Sequence, residues 1–153
     1  MSVTEKIYAP HPTVAEISPE TRLLAEIFGE PLTDLQMVMT LERGLPLRSV
    51  EVLRKEGLTF TEVHGLVLPA RTLKHRKDRN QPLSPEEADR ALRVVKMIAL
   101  AERIFGNREK SLRWLRRPNK RLEERTPLAM LKSESGAELV RQMLHQIDEG
   151  IYV

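Results

Sequence analysis

The segment GLTFTEVHGLVLPARTLKHRKDR, residues 57–79, has the pattern of two short helices joined by a tight turn. Thr59 followed by Glu62 matches a capping box, which predicts the start of the first helix. Pro69 cannot continue that helix, because proline lacks a backbone N–H and clashes with the preceding turn. It suits the first turn of a second helix, which we expect over residues 70–79. Two short helices around such a break predict a helix-turn-helix.

The second helix of this pair carries basic residues on the side away from the core. Residues 71–79 contain five Lys or Arg and one Asp, and a helical step of about 100° per residue places most of them away from Leu73. A helix of this kind fits the major groove of DNA. The side chains expected at base edges are Arg71, Thr72 and His75, and those expected at phosphates are Lys74, Lys77 and Arg79. A solvated basic face that binds nothing is the alternative.

Capping residues, prolines and glycines divide the rest of the chain into further helices. No run of alternating apolar and polar residues is long enough for a strand, so the sequence predicts an all-α fold. Residues 1–17 contain two prolines and read as a loose arm. The further helices are predicted to begin at Ser18, Thr33, Pro46, Ser84, Asn107, Thr126 and Ser135, with stop signals at Gly29, Gly44, Gly57, Gly106 and Gly150.

The helix predicted over residues 84–105 is the longest, and its apolar residues form a wide stripe. One row runs through Leu92 and Val95, and a second row runs through Val94 and Met97. A stripe of this width indicates a helix that is buried on more than one side. We expect this helix to join two halves of the chain and, with the helices after it, to supply surface for a dimer.

Composition excludes several classes of function. The chain has no cysteine, so disulfides, thiolate zinc sites and cysteine nucleophiles are ruled out. Its four histidines are scattered, and it has no nucleophile elbow, P-loop or dinucleotide fingerprint. We therefore expect no enzyme, no cofactor and no metal site. The longest apolar stretch, near residues 94–101, is interrupted by Lys96, and no export signal is visible, so we expect a cytoplasmic protein without a membrane segment.

Charge is segregated along the chain. Residues 1–70 carry 6 basic and 10 acidic side chains, residues 71–125 carry 17 and 8, and residues 126–153 carry 2 and 4. The middle block is where an anionic partner would bind, unless it is a solvated face. Within it, residues 103–125 hold nine Lys or Arg and three Glu. We expect these charges to form a solvated or partner-facing rim and Trp114 to anchor the core.

Several segments, taken in order, resemble the antitoxins of the Xre/MbcA/ParS type, which are partners of RES-domain toxins. The resemblance extends from about Leu32 to Val153, and its strength lies in the order and spacing of the segments. They are LPARTL at 68–73, PLSPEEADR at 82–90, AERIFG at 101–106, SLRWL at 111–115 followed by RPN at 117–119, TPL at 126–128 and IDEGIYV at 147–153.

The resemblance implies a regulator with two activities. One part would bind the operator of its own operon as an autorepressor, and the other would neutralise a RES-domain toxin that consumes NAD by blocking its active site. It also implies a homodimer within a larger toxin–antitoxin complex. The residues that would enter the toxin's NAD pocket are Glu149, Gly150, Ile151, Tyr152 and Val153. Alternatively, Ile151 and Tyr152 pack back on their own domain.

The expected domains are an N-terminal arm with a short helix over residues 1–32, a DNA-binding domain of the Xre-like helix-turn-helix type over residues 33–100, and a small helical domain for toxin binding or dimerisation over residues 101–153. A stand-alone dimeric helix-turn-helix transcription regulator is the second function that these features allow.

Overall fold

The computed structural model describes residues 17–151, and within this range the chain is helical and contains no β-strand. The all-α prediction is confirmed for this range. The helices are α1 Pro19–Phe28, α2 Asp34–Arg43, α3 Arg48–Lys55, α4 Phe60–Leu66, α5 Ala70–Asp78, α6 Pro85–Phe105, α7 Arg108–Leu115, α8 Pro127–Met130 and α9 Glu134–Asp148. A 3₁₀ turn at Lys120–Leu122, which the sequence did not predict, lies between α7 and α8. The predicted arm over residues 1–17 lies, apart from Ile17, outside the described residues.

Side-chain caps start most of these helices at the predicted positions. Thr33, Thr59 and Ser84 each form a complete capping box with the glutamine or glutamate three residues later. In α4, for example, the Glu62 backbone N–H donates to Thr59 Oγ1 over 3.1 Å. Each such cap stabilises its helix by about 1 kcal/mol. These signals are local in sequence, and for this reason the helix starts could be predicted.

The predicted start of the last helix is wrong by two residues. The cap is Ser133, whose Oγ accepts from the Gly136 backbone N–H over 3.0 Å, and not Ser135. A Cβ at Gly136 would lie only 2.0 Å from the Met130 carbonyl oxygen. The first turn of α9 therefore lies against α8, which the absence of a side chain at residue 136 allows. Pro69 is also displaced by one position, since it caps α5 instead of entering its first turn.

The core is organised around α6. This helix contacts α1, α2, α3 and α4, which precede it in the chain, and α7 and α9, which follow it. Its residues Val94, Val95, Met97 and Ile98 are fully buried. The expectation of a helix that joins two halves is confirmed, but the stripe is covered by the chain's own helices and is not available for a dimer. Trp114 packs against the same core, with its ring centroid 5.8 Å from that of Phe105.

Candidate functional site

The turn between α4 and α5 is held by the core and by α6. Val67 and Leu68 are buried in this turn, and Leu73 anchors α5 from its inner side. The Val67 carbonyl oxygen accepts a hydrogen bond of 2.7 Å from Arg90 Nε on α6. Because the turn is fixed at both its side chains and its backbone, α5 has a defined direction on the molecular surface.

The outer side of α5 presents free cationic side chains. Of the six residues predicted to contact DNA, five are exposed and Thr72 is half-buried. Within the part of the chain that the structure describes, none of the six side chains has a hydrogen-bond or ion-pair partner. The exposed five are Arg71, Lys74, His75, Lys77 and Arg79. The structure therefore brings the predicted residues together on one exposed helix.

Arg76, the remaining cation of α5, has a different position. Its Nη2 donates to Glu87 Oε1 over 2.9 Å, and its Nε donates to Glu87 Oε2 over 3.3 Å. The hydrogen bond that Arg76 donates to Glu87 raises the pKa of Arg76. Burial alone would raise the pKa of Glu87, but hydrogen bonds from Arg76 and from the Ser84 backbone outweigh burial and hold that pKa below its ordinary value. Arg76 thus fastens α5 to the start of α6 and is not free for a ligand.

Part of the basic segment 103–125 is also paired inside the molecule. Arg116, just after α7, donates to Glu62 on α4 over 2.7 and 3.0 Å and to the Gly57 carbonyl oxygen over 2.7 Å. Burial alone would raise the pKa of Glu62, but hydrogen bonds from Arg116 and the Thr59 backbone hold it below its ordinary value. Arg116 therefore links α7 to the first helix of the helix-turn-helix.

The C-terminal segment leaves α9 without entering the core. Glu149 ends the helix, and Gly150 follows with a φ of 78°, a left-handed conformation that favours glycine. The Ile151 backbone N–H donates to the Gln146 carbonyl oxygen over 2.7 Å, and the residue remains 52% exposed. Three of the predicted toxin-binding residues are thus exposed at one end of the molecule. Tyr152 and Val153 lie outside the described residues.

Two families of known proteins match the two halves of this chain. Residues 36–96 match a family model described as the antitoxin Xre-like helix-turn-helix domain. Residues 100–150 match a model described as the antitoxin Xre/MbcA/ParS C-terminal toxin-binding domain. The chain is 35% identical over 121 residues to antitoxin Xre of Pseudomonas putida, covering 79% of this chain and 76% of that protein. The chain belongs to the Xre family of antitoxins.

Two further relatives support the assignment to Xre antitoxins. Antitoxin Xre of Yersinia enterocolitica is 25% identical over 158 residues, covering 94% of this chain and 98% of that protein. Antitoxin Xre of Photorhabdus laumondii is 29% identical over 117 residues, covering 72% of this chain and 77% of that protein. The family resemblance and the helix-turn-helix architecture predicted from the sequence are therefore confirmed.

The structure of this Xre antitoxin also shows an apolar surface that sequence reasoning missed. No residue of α2 is buried, and Leu35, Val38 and Met39 are 68%, 52% and 45% exposed. Their spacing places them on one face of the helix. The spacing is visible in the sequence, but Met37 and Leu41 supply a second apolar face, so the sequence does not tell which face is exposed.

Within residues 17–151 no three His, Asp or Glu side chains lie close enough together to hold a metal ion. In the same range, no helix has the length and apolar character required to cross a bilayer. The exposed basic helix, the C-terminal segment and the α2 face are therefore the candidate sites.

Proposed function

We propose that this chain neutralises a cognate RES-domain toxin that consumes NAD, by blocking the toxin's active site, and that it represses its own operon by binding operator DNA. The observation that carries the proposal is the match of residues 100–150 to a toxin-binding domain, next to a helix-turn-helix whose second helix is exposed and cationic. Both activities rest on binding and require no catalytic residue. We place them in the cytoplasm, where operator DNA is found.

For DNA binding, we propose that Arg71, Thr72 and His75 contact base edges. Arg71 and Thr72 lie in the first turn of α5, and His75 follows one turn later on the same side; the first turns of a recognition helix face the bases when it enters the major groove. We assign the phosphates to Lys74, Lys77 and Arg79, whose exposed cationic side chains suit the sequence-independent part of the interaction.

For toxin binding, we propose that Glu149, Gly150 and Ile151, with Tyr152 and Val153 after them, occupy the toxin's NAD pocket. A pocket that holds a pyrophosphate presents cationic groups, which the acidic side chain of Glu149 can pair with. The exposed position of Ile151 at the end of α9 supports this arrangement over one in which Ile151 packs in its own core.

We further propose that the antitoxin acts as a homodimer within a larger toxin–antitoxin complex. One α5 helix makes few contacts, whereas a two-fold pair reads two half-sites about 34 Å apart. The stripe of α6 is buried, so the dimer contact requires another apolar surface. The α2 face formed by Leu35, Val38 and Met39 lies within the expected DNA-binding domain, residues 33–100, and is the exposed apolar face that fits a second copy.

A stand-alone dimeric transcription regulator is the second candidate function, and it would use the same basic helix. The match of residues 100–150 to a toxin-binding domain favours the antitoxin. The boundaries that we propose, residues 1–32, 33–100 and 101–153, assign DNA binding to the second part and toxin binding to the third.

The decisive experiment removes residues 150–153 and measures neutralisation. Each chain would be co-expressed with the adjacent gene product, with cellular NAD, growth and co-purification as readouts. We expect the truncated chain to bind the toxin at least ~10-fold more weakly, because the segment supplies a buried anchor, and NAD to fall. The matched control is Lys77→Ala, which should keep full neutralisation while losing DNA affinity. Full protection of NAD by the truncated chain would refute active-site blocking.

A further inference from the structure

Helix α1 lies outside both matched family ranges, yet it is part of the core. The helix-turn-helix match begins at residue 36 and the toxin-binding match at residue 100, whereas α1 spans Pro19–Phe28. Its Leu23 and Ile27 are fully buried, and the helix contacts α3 and α6. α3 and most of α6 lie within the helix-turn-helix range, so these contacts join α1 to that half, while the last turns of α6 extend into the toxin-binding range.

A buried carboxylate lies where α1 meets the two family ranges. Glu56 follows α3, within the helix-turn-helix range, and its side chain has 0% exposure. Arg22 Nη1 of α1 donates to Glu56 Oε1 over 3.1 Å. Arg108 Nε, at the start of α7, lies 2.9 Å from Glu56 Oε2 and forms an ion pair without hydrogen-bond alignment. A buried carboxylate requires such partners, because its charge is costly away from water.

Arg22 also contacts the toxin-binding range directly. Its Nη2 donates to both carboxylate oxygens of Glu102, near the end of α6, over 3.2 and 3.4 Å. One guanidinium group of α1 therefore pairs with Glu56 from one family range and with Glu102 from the other. The hydrogen bond to Glu56 raises the pKa of Arg22, and the charges of Glu56, Glu102 and Glu26 add to this effect.

We propose that α1 is an interdomain clamp in which Arg22, by pairing with Glu56 and Glu102, holds the DNA-binding half and the toxin-binding half in one fixed orientation. The clamp keeps α5 and the end of α9 at a constant separation in the free protein. A second ion pair joins the same two halves: Arg116, just after α7, pairs with Glu62 on α4. The proposal depends on neither the identity of the toxin nor the operator.

Hydrogen–deuterium exchange of the full chain tests the clamp without a toxin or DNA. In Arg22→Met, we expect exchange to rise at least ~10-fold in α1 and, together with it, at residues 52–58 and 108–112, because removal of one partner from a buried ion pair is strongly destabilising. The matched control is Arg113→Met, which removes the exposed ion pair that Arg113 and Glu109 form on α7. That control should leave exchange in all three segments unchanged.

Glu102→Gln keeps the test informative where Arg22→Met fails to fold. It removes one partner of Arg22 while Glu56 keeps both of its own, so the fold is retained. We expect a smaller rise in exchange, about 3-fold, again in α1 and residues 108–112 together. An increase confined to α1 in either variant, or no increase in either, would overturn the proposal, because α1 would then be a peripheral helix.

Discussion

Arg71 and Arg76 lie on the same helix and carry the same charge, but they have different surroundings. Arg76 is paired with Glu87 across 2.9 Å, whereas Arg71 is exposed. The difference follows from the helical step, since Arg76 lies on the flank of α5 that faces the start of α6. The sequence assigned no DNA contact to Arg76, and its pairing with Glu87 is consistent with that omission. The roles proposed for the other six residues stay predictions.

The division between base and phosphate contacts predicts different effects for two substitutions. Arg71→Ala should lower affinity for the DNA upstream of the gene by about 5- to 150-fold and leave affinity for scrambled DNA nearly unchanged, because a lost Arg–base contact costs about 1–3 kcal/mol. Lys77→Ala should weaken both DNAs alike and reduce the salt slope by about 0.9. Fluorescence anisotropy titrations at several salt concentrations measure both effects. An equal loss on both DNAs for Arg71→Ala would contradict its role.

At the scale of the element, the helix starts show which signals are local. The capping boxes at the starts of α2, α4 and α6 involve only residues within one helical turn, and all three helices start where the sequence predicts. The predicted cap of α9 is Ser135, whereas the structure caps this helix with Ser133. A side chain at residue 136 would clash with the Met130 carbonyl, so glycine lets the first turn of α9 lie against α8, a contact that is not visible in the sequence.

The exposed face of α2 predicts a change in oligomeric state. Val38→Lys places a charge at the centre of the proposed dimer contact, and we expect the dimer dissociation constant to rise at least ~10-fold, because central contacts dominate an interface. Sedimentation velocity measures the change, and operator affinity should fall with it. The matched control is Leu139→Lys, which introduces the same charge at a partly exposed leucine of α9. If the Val38→Lys chain dimerises as tightly as the Leu139→Lys chain, the dimer contact lies elsewhere.

Across the whole molecule, the charge segregation is partly neutralised by folding. Acidic residues of the first 70 positions pair with basic residues of the middle block, as Glu56 does with Arg108 and Glu62 with Arg116. These pairs join segments more than 50 residues apart. The middle block therefore uses some of its cations to hold the fold, while Arg71, Lys74, Lys77 and Arg79 stay exposed on or next to α5.

Ion pairs between distant segments make the stability of the whole molecule dependent on pH. The pKa values of Glu62 and Glu87 lie below their ordinary value of 4.5 in the folded chain. The unfolded chain therefore binds protons more readily, so their stabilisation is complete above that value and declines as pH falls below it. We expect the free energy of unfolding to decrease as pH falls through and below about 4.5. Urea titrations followed by the fluorescence of Trp114, the single tryptophan, measure it.

Glu87→Gln separates this contribution from the general effect of acid. The variant should lose about 1–3 kcal/mol at neutral pH, because Arg76 loses its charged partner. It should also show a shallower decline below pH 4.5 than the unmodified chain. Glu109→Gln, which changes an exposed carboxylate paired only on its own helix, is the matched control. A decline of equal steepness in Glu87→Gln would show that Glu87 is not one of the groups responsible.

The sequence by itself determined the helical class, most helix starts and the helix-turn-helix, because caps, prolines, glycines and apolar periodicity act within a few residues of one another, and the order and spacing of its motifs carried the family resemblance. Tertiary structure alone decided that α6 is covered by the chain and that α2 keeps an exposed apolar face. It alone also decided that Arg22, Arg76 and Arg116 are paired. Each of these outcomes depends on which distant segments pack together, and side-chain type and local spacing do not carry that information.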